Sequence, residues 1–443
     1  MPPGGWQQER CRCERGLSLR VGVVLPWQPK EMGGGHTFQR MILSALSRCE
    51  SKHEFVVFDI SAYGAASSDG IPLVNLREHY LSSIKMATEQ ASHGPGGLSQ
   101  MVAVARRIAR GLRTRLCGTQ PVRGEPSLDS LLSLAVQDHA VEMLWFISPT
   151  QARVTVPFIF TVWDLQHRVQ PFFPEVSVAG WRWEEREALY REMLPRAALV
   201  VTGTEVGREE VLRFYAPHPK SVGVIPFPVP EYEDDPGADH DGNILAKHGL
   251  SPGYLFYPAQ FWPHKNHVNL LRAVDLLRRR DGLAIDLVFV GSDHGNQRAV
   301  QQIAVDLGVQ AHFLGFVDAA DMPALYRQSG ALVYPSFFGP DNLPPLEAFS
   351  FGCPVVAAAV DGAAEQLGDA ALLFDPADHR ALADAIRDLL RDPVLRTSLI
   401  ERGRARLVGR TTDDYIARVI DRLDGFESRI ACWRPGNPPE RGA

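Results

Sequence analysis

The stretch that decides the fold is Ala331-Leu-Val-Tyr-Pro-Ser-Phe-Phe-Gly-Pro-Asp-Asn-Leu-Pro-Pro-Leu-Glu-Ala-Phe-Ser-Phe-Gly-Cys-Pro-Val-Val-Ala-Ala358. An apolar strand ends at Ser336, and a loop follows it. Two adjacent prolines then open a helix, because proline is tolerated in the first helical turn, where backbone amides are unpaired. The helix stops at Gly352, directly before a second apolar run. Strand, helix and strand in this order predict two parallel strands joined by a crossover helix.

The same alternation of short apolar runs and helical stretches continues on both sides of this stretch. Continuous apolar runs of this kind indicate strands that are buried on both faces of a parallel sheet. The further strand candidates begin at Leu19, Glu54, Val141, Pro157, Val200, Tyr254, Leu283 and Ala311. We therefore predict an α/β fold with two Rossmann-like, doubly wound parallel-sheet domains.

A segment rich in proline and acidic residues separates the two series of strands. Pro226–Gly242 holds four prolines and six acidic residues and has no apolar periodicity, which is typical of an interdomain linker. The predicted division is a disordered extension at 1–17, a first domain at 18–228, a linker at 229–248, a second domain at 249–428 and a tail at 429–443. We leave open whether the last helix of the second domain returns to the first.

Composition excludes several classes of protein. The 443 residues are 45% apolar and 22% charged, which is enough material for two cores. The formal net charge of −6 gives no general attraction for nucleic acid, and no stretch approaches the roughly 18 to 20 apolar residues of a membrane span. The six cysteines are mostly far apart, and the start of the chain lacks the apolar core of a secretory signal. We expect a reduced, cytoplasmic location and no nucleic-acid partner.

The loop and helix start within the opening stretch form a predicted anion site. A helix N-terminus carries free amides and the positive end of the helix dipole, which suit a diphosphate. Since the two prolines have no amide hydrogen, the amides of Asn342 and Leu343 are the expected donors. Glu347 lies one turn inside the helix, where its carboxylate can accept hydrogen bonds from two ribose hydroxyls.

At these residues the sequence resembles glycosyltransferase family 4, whose members show Pro-Ser, then a glutamate, seven residues and a second glutamate. The resemblance spans most of the chain and implies the GT-B fold, in which two Rossmann-like domains face a cleft. It implies an acceptor-side first domain and a second domain that binds a nucleoside diphosphate sugar. The implied reaction is a hexosyltransferase-type transfer to an acceptor hydroxyl with retention of configuration, in polysaccharide or glycolipid biosynthesis.

Only one of the two glutamates typical of the family is present in this sequence. The second, which holds the ribose in the family, corresponds to Glu347, whereas the first, near the donor sugar, corresponds to Gly339. Asp341 and Asn342 lie in the same loop and are the expected polar contacts to the sugar. This departure suggests a branch with different donor contacts, and loss of activity is the alternative.

Tyr257-Pro-Ala-Gln-Phe-Trp-Pro-His-Lys265 resembles the phosphate-binding loop of the family. Lys265 corresponds to its lysine, which would neutralise charge that grows on the leaving diphosphate. The arginine usual five positions earlier is replaced by Gln260, and His264 is a candidate to compensate for the lost charge. An ordinary solvated lysine is the alternative interpretation of Lys265.

In the first domain, Asp164 and His167 follow a predicted strand end, where the family often has His-Asp. Trp163 takes the place of that histidine. We expect Asp164 or His167 to contact the donor sugar or the acceptor hydroxyl. A capping aspartate and a surface histidine are the alternative.

Two further segments are candidates for the donor site. Gly34 and Gly35 follow the first strand, where backbone amides can approach a diphosphate or an acceptor without interference from a Cβ. Phe313 and Gly315 belong to a segment that resembles the base-binding strand and turn of the family. Simple core packing is the other interpretation of Phe313.

The remaining expectations concern partners and cofactors. Apolar residues at helical spacing in 101–116 oppose Arg106, Arg107, Arg110 and Arg113, which predicts docking on an anionic membrane and would suit a lipid-linked glycan acceptor; an ordinary surface helix is the alternative. Asp239-His-Asp241 has a metal-binding spacing but lies in the acidic linker, so we expect a metal-independent reaction without a cofactor beyond the nucleotide sugar. The rival functions are a sugar-nucleotide epimerase and a nucleotide-binding homologue without activity.

Overall fold

The computed structural model describes residues 18–26, 34–61, 70–83, 126–177, 181–232 and 238–432. The strands of the first domain are β1 Arg20–Leu25, β2 Glu54–Asp59, β3 Leu73–Asn75, β4 Met143–Phe146, β5 Phe158–Thr161, β6 Leu199–Thr202 and β7 Val222–Val224. Those of the second domain are β8 Leu255–Pro258, β9 Leu287–Val290, β10 Ala311–Phe313, β11 Ala331–Tyr334, β12 Val355–Ala358 and β13 Ala371–Phe374.

Helices cover both sheets. In the first domain they are α1 Gly34–Arg48, α2 Leu128–Asp138, α3 Gln166–Val169, α4 Trp183–Met193 and α5 Glu205–Tyr215. In the second series they are α6 Ala238–His248, α7 His267–Asp281, α8 Gln297–Leu307, α9 Met322–Gln328, α10 Leu343–Ser350, α11 Ala363–Leu367, α12 His379–Arg391, α13 Pro393–Ala405 and α14 Thr412–Ile430.

Each domain contains one parallel sheet. The first sheet has seven strands in the order β3-β2-β1-β4-β5-β6-β7, and the second has six in the order β10-β9-β8-β11-β12-β13. The strand order reverses between β1 and β4 and between β8 and β11. A crevice opens at the carboxyl ends of the strands at such a reversal, and ligands of doubly wound sheets bind there. The predicted fold class of two doubly wound domains is confirmed.

Most strand positions are apolar because both faces of each sheet are covered. In β1, Val23 and Leu25 face one core of the first domain, and Val24 between them faces the other. Successive side chains of a strand point to opposite faces, so a sheet with helices on both sides buries all of them.

The chain crosses between the domains twice, at adjacent points. Val229 donates its amide hydrogen to the carbonyl of Arg410 at 2.9 Å. After the second crossing, α14 packs Tyr415 and Ile416 into a core of the first domain, a return that the sequence analysis left open. The predicted linker range 229–248 also contains α6, because Ile244 on that helix is buried in the core of the second domain.

Several sequence predictions fall on residues that are not described. These are the extension at 1–17, the arginine-rich segment at 101–116, the tail from 433 onward and the side chain of Asp239. Within the described ranges, none of the helices combines the length and the apolar character needed to cross a bilayer.

Candidate active site in the interdomain cleft

Loops at the carboxyl ends of both sheets touch each other across the cleft. Gln170, which follows α3 in the first domain, donates from Nε2 to the carbonyl of Phe337 in the second at 2.6 Å. The amide of Glu205 at the start of α5 donates to Oε1 of Glu365 at 2.8 Å. The edges at which doubly wound sheets bind ligands therefore face each other.

Gly339 and Asn342 share one space in the loop after β11. Gly339 has φ +121°, a left-handed conformation that side chains rarely adopt, and a Cβ added to it would lie 2.4 Å from Oδ1 of Asn342. Nδ2 of Asn342 donates to the carbonyl of Phe338 at 2.9 Å and to that of Gly339 at 3.2 Å. Asn342 therefore fills the volume that a side chain at position 339 would need.

The start of α10 presents fewer free amides than a typical helix N-terminus. Pro344 and Pro345 have none, and the amide of Asn342 donates to Oε1 of the buried Gln366 at 3.2 Å. The half-buried Leu343 packs against cores of both domains. A diphosphate that binds here must therefore displace Gln366 from the amide of Asn342 or use other donors.

Glu347 is held on α10 by two tyrosines. The hydroxyls of Tyr232 and Tyr326 each donate to its Oε2 at 2.8 Å, and only 8% of the residue is exposed. Burial raises the pKa of Glu347, and the two tyrosine hydrogen bonds act against this rise. In the part of the chain that the structure describes, Oε1 has no hydrogen-bond donor, so one oxygen of a fixed carboxylate is left for a ligand.

Lys265 lies beside the loop after β11. It ends a short 3-10 turn, Pro263–Lys265, and its Nζ donates to the hydroxyl of Tyr334 at 3.0 Å. Asn266 follows in the left-handed region with φ 60°, and its Nδ2 donates to the carbonyl of Pro335 at 2.9 Å. These bonds bring the predicted phosphate loop and the predicted donor loop together.

Neither Gln260 nor His264 replaces the missing arginine charge. Gln260 is a neutral side chain whose Oε1 accepts from Nε1 of Trp262 at 3.0 Å. Burial lowers the pKa of His264 to about 4, and the charge of Lys265 acts in the same direction. The proposed compensation by His264 is therefore wrong at neutral pH, where its imidazole carries no charge.

His167 does not lie in the cleft. It is fully buried in the first domain, where its Nε2 is 2.9 Å from the hydroxyl of Tyr215 and its ring stacks on Tyr190. Burial lowers its pKa to about 4. The expected contact of His167 with a substrate does not fit this environment, because the apolar residues that follow β5 turn the ring inward.

Asp164 remains at the cleft. Its side chain is 36% exposed, it accepts from the amide of Gln166 at 3.0 Å, and it lies 3.4 Å from Nη1 of Arg186. Its negative charge also helps to raise the pKa of Glu210 to about 7, although burial of Glu210 is the larger cause.

Asp341 reaches the first domain. It is half-buried overall, but its Oδ1 is enclosed and has no hydrogen-bond partner in the described ranges. A Cβ on Gly203 in the opposite domain would lie 2.2 Å from this atom. Burial raises the pKa of Asp341 to about 8, an effect that Arg410 opposes and Glu365 reinforces.

The remaining donor-site candidates are Gly34, Gly35, Phe313 and Gly315. Gly34 begins α1, and an added Cβ would meet nothing within 4 Å, whereas half-buried Gly35 follows in the first turn. Phe313 packs between Phe261 and Phe289, with ring centroids at 5.7 and 5.3 Å. Gly315 forms the next turn at φ 69°.

One cluster with metal-ligand spacing lies outside the cleft, among the described residues. It consists of His53, Asp424 and Glu427. Nδ1 of His53 accepts the amide hydrogen of Leu19 at 3.1 Å, so its proton is on Nε2, the atom that faces Asp424. Lys52 supplies a cation to both carboxylates. The two carboxylates of this cluster are therefore already paired with a cation of the chain.

Comparisons with known proteins agree with this architecture. Residues 244–406 match the family described as glycosyl transferases group 1. Sucrose-phosphate synthase from Thermosynechococcus elongatus superimposes with a TM-score of 0.66 at 17% identity, over 94% of this chain and 100% of that one. Alr3699/HepE from Anabaena, solved in complex with UDP and glucose, gives a TM-score of 0.61 at 15% identity, over 92% and 100% of the two chains. The fold is therefore GT-B.

One sequence relative is O-antigen chain mannosyltransferase B from Escherichia coli. It is 32% identical over 225 residues, which are 50% of this chain and 58% of the relative, so the chain spans little more than half the length of that protein. The matched residues 244–406 lie in the second domain and include Lys265 and Glu347, so this part of the chain is similar to group 1 glycosyl transferases.

Sequence reasoning missed the residues that join the domains. Glu175, Gly203 and Glu365 contact the opposite domain, yet none of them belongs to a motif or an apolar period. Their role depends on contacts between residues far apart in the chain, and no local pattern contains this information.

Proposed function

We propose that the chain is a retaining glycosyltransferase that moves a hexose from a nucleoside diphosphate sugar to an acceptor hydroxyl. The observation that carries the proposal is the match of residues 244–406 to group 1 glycosyl transferases, since Lys265 and Glu347 within this range lie at the carboxyl ends of the second sheet. The other domain faces this edge and closes the site from the opposite side.

The proposed chemistry follows from the charges at this edge. Oε1 of Glu347 accepts hydrogen bonds from ribose hydroxyls, and Lys265 stabilises the diphosphate as the bond between its oxygen and the sugar C1 breaks. The acceptor oxygen forms the new bond to C1 on the same face, and its proton passes to the departing phosphate oxygen. Both substrates are held in position, which lowers the entropic part of the barrier. The proposal requires no metal ion and no carboxylate nucleophile.

The sugar and the acceptor meet different parts of the cleft in this proposal. Asn342 and Asp341 supply the polar contacts to the donor sugar, since Gly339 has no side chain. Asp164 and the amides at Gly34 and Gly35 face the acceptor. The Escherichia coli relative is named as an O-antigen chain mannosyltransferase, which supports a glycan acceptor, lipid-linked or free, and a role in polysaccharide biosynthesis. We place the enzyme in the cytoplasm, with 101–116 as a candidate contact to the inner face of the membrane.

Purified protein incubated with a panel of sugar nucleotides and glycan acceptors tests the function. Transfer releases a nucleoside diphosphate and gives a glycosylated product whose anomeric configuration can be read by NMR. An epimerised nucleotide sugar would support the rival epimerase, and binding without turnover would support an inactive homologue.

Two variants test the site. Glu347→Ala should weaken nucleotide binding about tenfold or more, the magnitude of lost hydrogen bonds to a charged group. Lys265→Ala should chiefly lower kcat, because its charge acts on the transition state. Lys220→Ala, an exposed lysine of the first domain, is the matched control. Unchanged kinetics in both site variants would overturn the assignment.

A further inference from the structure

Glu175 reaches across the cleft from the first domain to the phosphate loop of the second. It lies in the 3-10 turn Pro174–Val176, and only 5% of it is exposed. Its Oε1 accepts the backbone amide hydrogen of His264 at 2.9 Å and also contacts Nδ1 of the His264 ring. One carboxylate oxygen thus binds both N–H groups of the residue directly before Lys265.

The protonation states fit this arrangement. Burial acts to raise the pKa of Glu175, but the hydrogen bonds from His264 bring the pKa below its ordinary value. Burial lowers the pKa of His264. The pair is therefore a carboxylate that accepts from a neutral imidazole, and the imidazole carries its proton on Nδ1.

His264 also joins the donor loop to the phosphate loop. Its ring stacks on Phe338 with centroids 3.9 Å apart and an interplanar angle of 11°, and its carbonyl accepts from the amide of Phe337 at 2.8 Å. Phe173, two residues before Glu175, packs edge-on against Phe338 at 5.0 Å. The first domain therefore fixes both loops of the second domain through one buried contact region.

We propose that Glu175 is a positioning residue that sets the geometry of the Lys265 loop when the two domains come together. The inference rests on the proposed function. A preorganised cation stabilises a transition state without reorganisation, and the bonds to His264 fix the backbone on which Lys265 is carried. Because Glu175 belongs to the other domain, this geometry is complete only while the domains touch.

The contact between Glu175 and His264 leaves the second carboxylate oxygen of Glu175 unpaired. Oε2 of Glu175 is buried without a hydrogen-bond partner in the described part of the chain. An unpaired buried carboxylate oxygen is unfavourable, so the contact is weaker than a fully satisfied ion pair.

The kinetic test compares Glu175→Ala with Glu175→Gln. The alanine variant loses the acceptor oxygen, and its kcat should fall about tenfold to a hundredfold, the magnitude of a lost hydrogen bond to a charged group. Its Kd for the nucleoside diphosphate should stay within about twofold of the wild-type value. Glutamine keeps an acceptor oxygen and should restore most of the turnover. Glu192→Ala is the control, since Glu192 of the same domain pairs with the half-exposed Arg153 at 2.6 Å.

A second measurement does not depend on activity. The 15N signals of the histidine rings report which ring nitrogen carries the proton, and His264→Asn identifies the signal of His264. Wild-type protein should show the Nδ1–H form at this residue, and Glu175→Ala should shift it toward the Nε2–H form.

The outcomes separate the two proposals. Full turnover in Glu175→Ala, an equal loss of kcat and nucleotide affinity, or an Nε2–H form in the wild type would each overturn the positioning role. If wild-type protein transfers no sugar from any donor but shows the Nδ1–H form, the proposed function fails while the bond across the cleft stands.

Discussion

At the scale of single residues, Gly339 in the loop after β11 has no side chain, and Asn342 fills the space beside it. Gly339 is in a conformation that disfavours any side chain, and Asn342 occupies the space beside it. We predict that Gly339→Ala destabilises the fold by about 1 to 3 kcal/mol, from backbone strain and the collision with Asn342. Gly339→Ala combined with Asn342→Gly should recover part of this loss. Urea denaturation measures all the variants, and strictly additive effects of the two changes would contradict the shared space.

Asp341 should make stability depend on pH. Its pKa in the folded protein is about 8, above the ordinary value of 3.8, so the folded protein binds more protons than the unfolded chain between these values. The free energy of unfolding should therefore fall as the pH rises through this range. Asp341→Asn removes this titration. The free energy of unfolding of the variant minus that of the wild type should therefore be about 1 to 3 kcal/mol larger at pH 9 than at pH 4. Asp306→Asn, at an exposed position, should give the same difference from wild type at both pH values.

At the level of secondary-structure elements, local sequence patterns were sufficient for much of the fold. α5 begins after Thr204, a residue type that favours this position, and the Thr204 side chain accepts the amide hydrogen of Gly207 at 3.2 Å. The strands were predicted from their apolar runs, since burial on both faces leaves few polar positions, such as the buried Asp59 at the end of β2. α6 was missed because its first residues are acidic and polar, and packing of Ile244 stabilises it.

Site residues could be proposed from the sequence only where one segment carries the chemistry. Lys265 and Glu347 were predicted from their own motifs and follow two strands of the second sheet, and their roles stay predictions. His167 was misplaced, because the sequence does not show whether a polar residue after a strand turns toward the cleft or into the core. Asn342 was named as a polar contact, but its bonds to Phe338 and Gly339 required the folded loop.

The N-terminus of α5 in the first domain is capped by a residue of the second domain. Glu365 accepts the amide hydrogens of Glu205 at 2.8 Å and of Val206 at 3.3 Å, and a carboxylate at this position also favours the helix dipole. Because Glu365 is exposed, Glu365→Ala should make the free energy of domain closure less favourable by only about 0.3 to 1 kcal/mol. Small-angle scattering should show a larger radius of gyration for this variant. Ser127→Ala, which removes the side-chain cap of α2 within the first domain, should lower the melting temperature without a comparable expansion. Equal radii for Glu365→Ala and the wild type would show that Glu365 does not hold the domains together.

For the whole molecule, the arrangement is two rigid sheets joined at a pair of adjacent chain crossings. The crossings are bound to each other by the Val229 and Arg410 backbone groups, and α14 fastens the second crossing to the first domain. Rotation about these crossings changes the cleft while both cores stay intact. Contacts at the far side of the cleft, including those of Glu175 and Gly203, then determine how far the domains close.

Closure leaves no room for a side chain at Gly203. A Cβ there would lie 2.2 Å from Oδ1 and 2.6 Å from Cγ of Asp341, while the backbone of Gly203 is not in the left-handed region. Gly203→Ala should therefore fold with near wild-type stability but hold the domains apart, which lowers kcat about tenfold or more through lost alignment of the substrates. Scattering should show an expanded molecule, and a further Asp341→Ala change should restore the compact radius. Gly425→Ala, on an exposed face of α14 with nothing within 4 Å, is the control and should add about 0.5 to 1 kcal/mol of stability without any change in radius. A compact Gly203→Ala variant with full turnover would show that the contact with Asp341 does not limit closure.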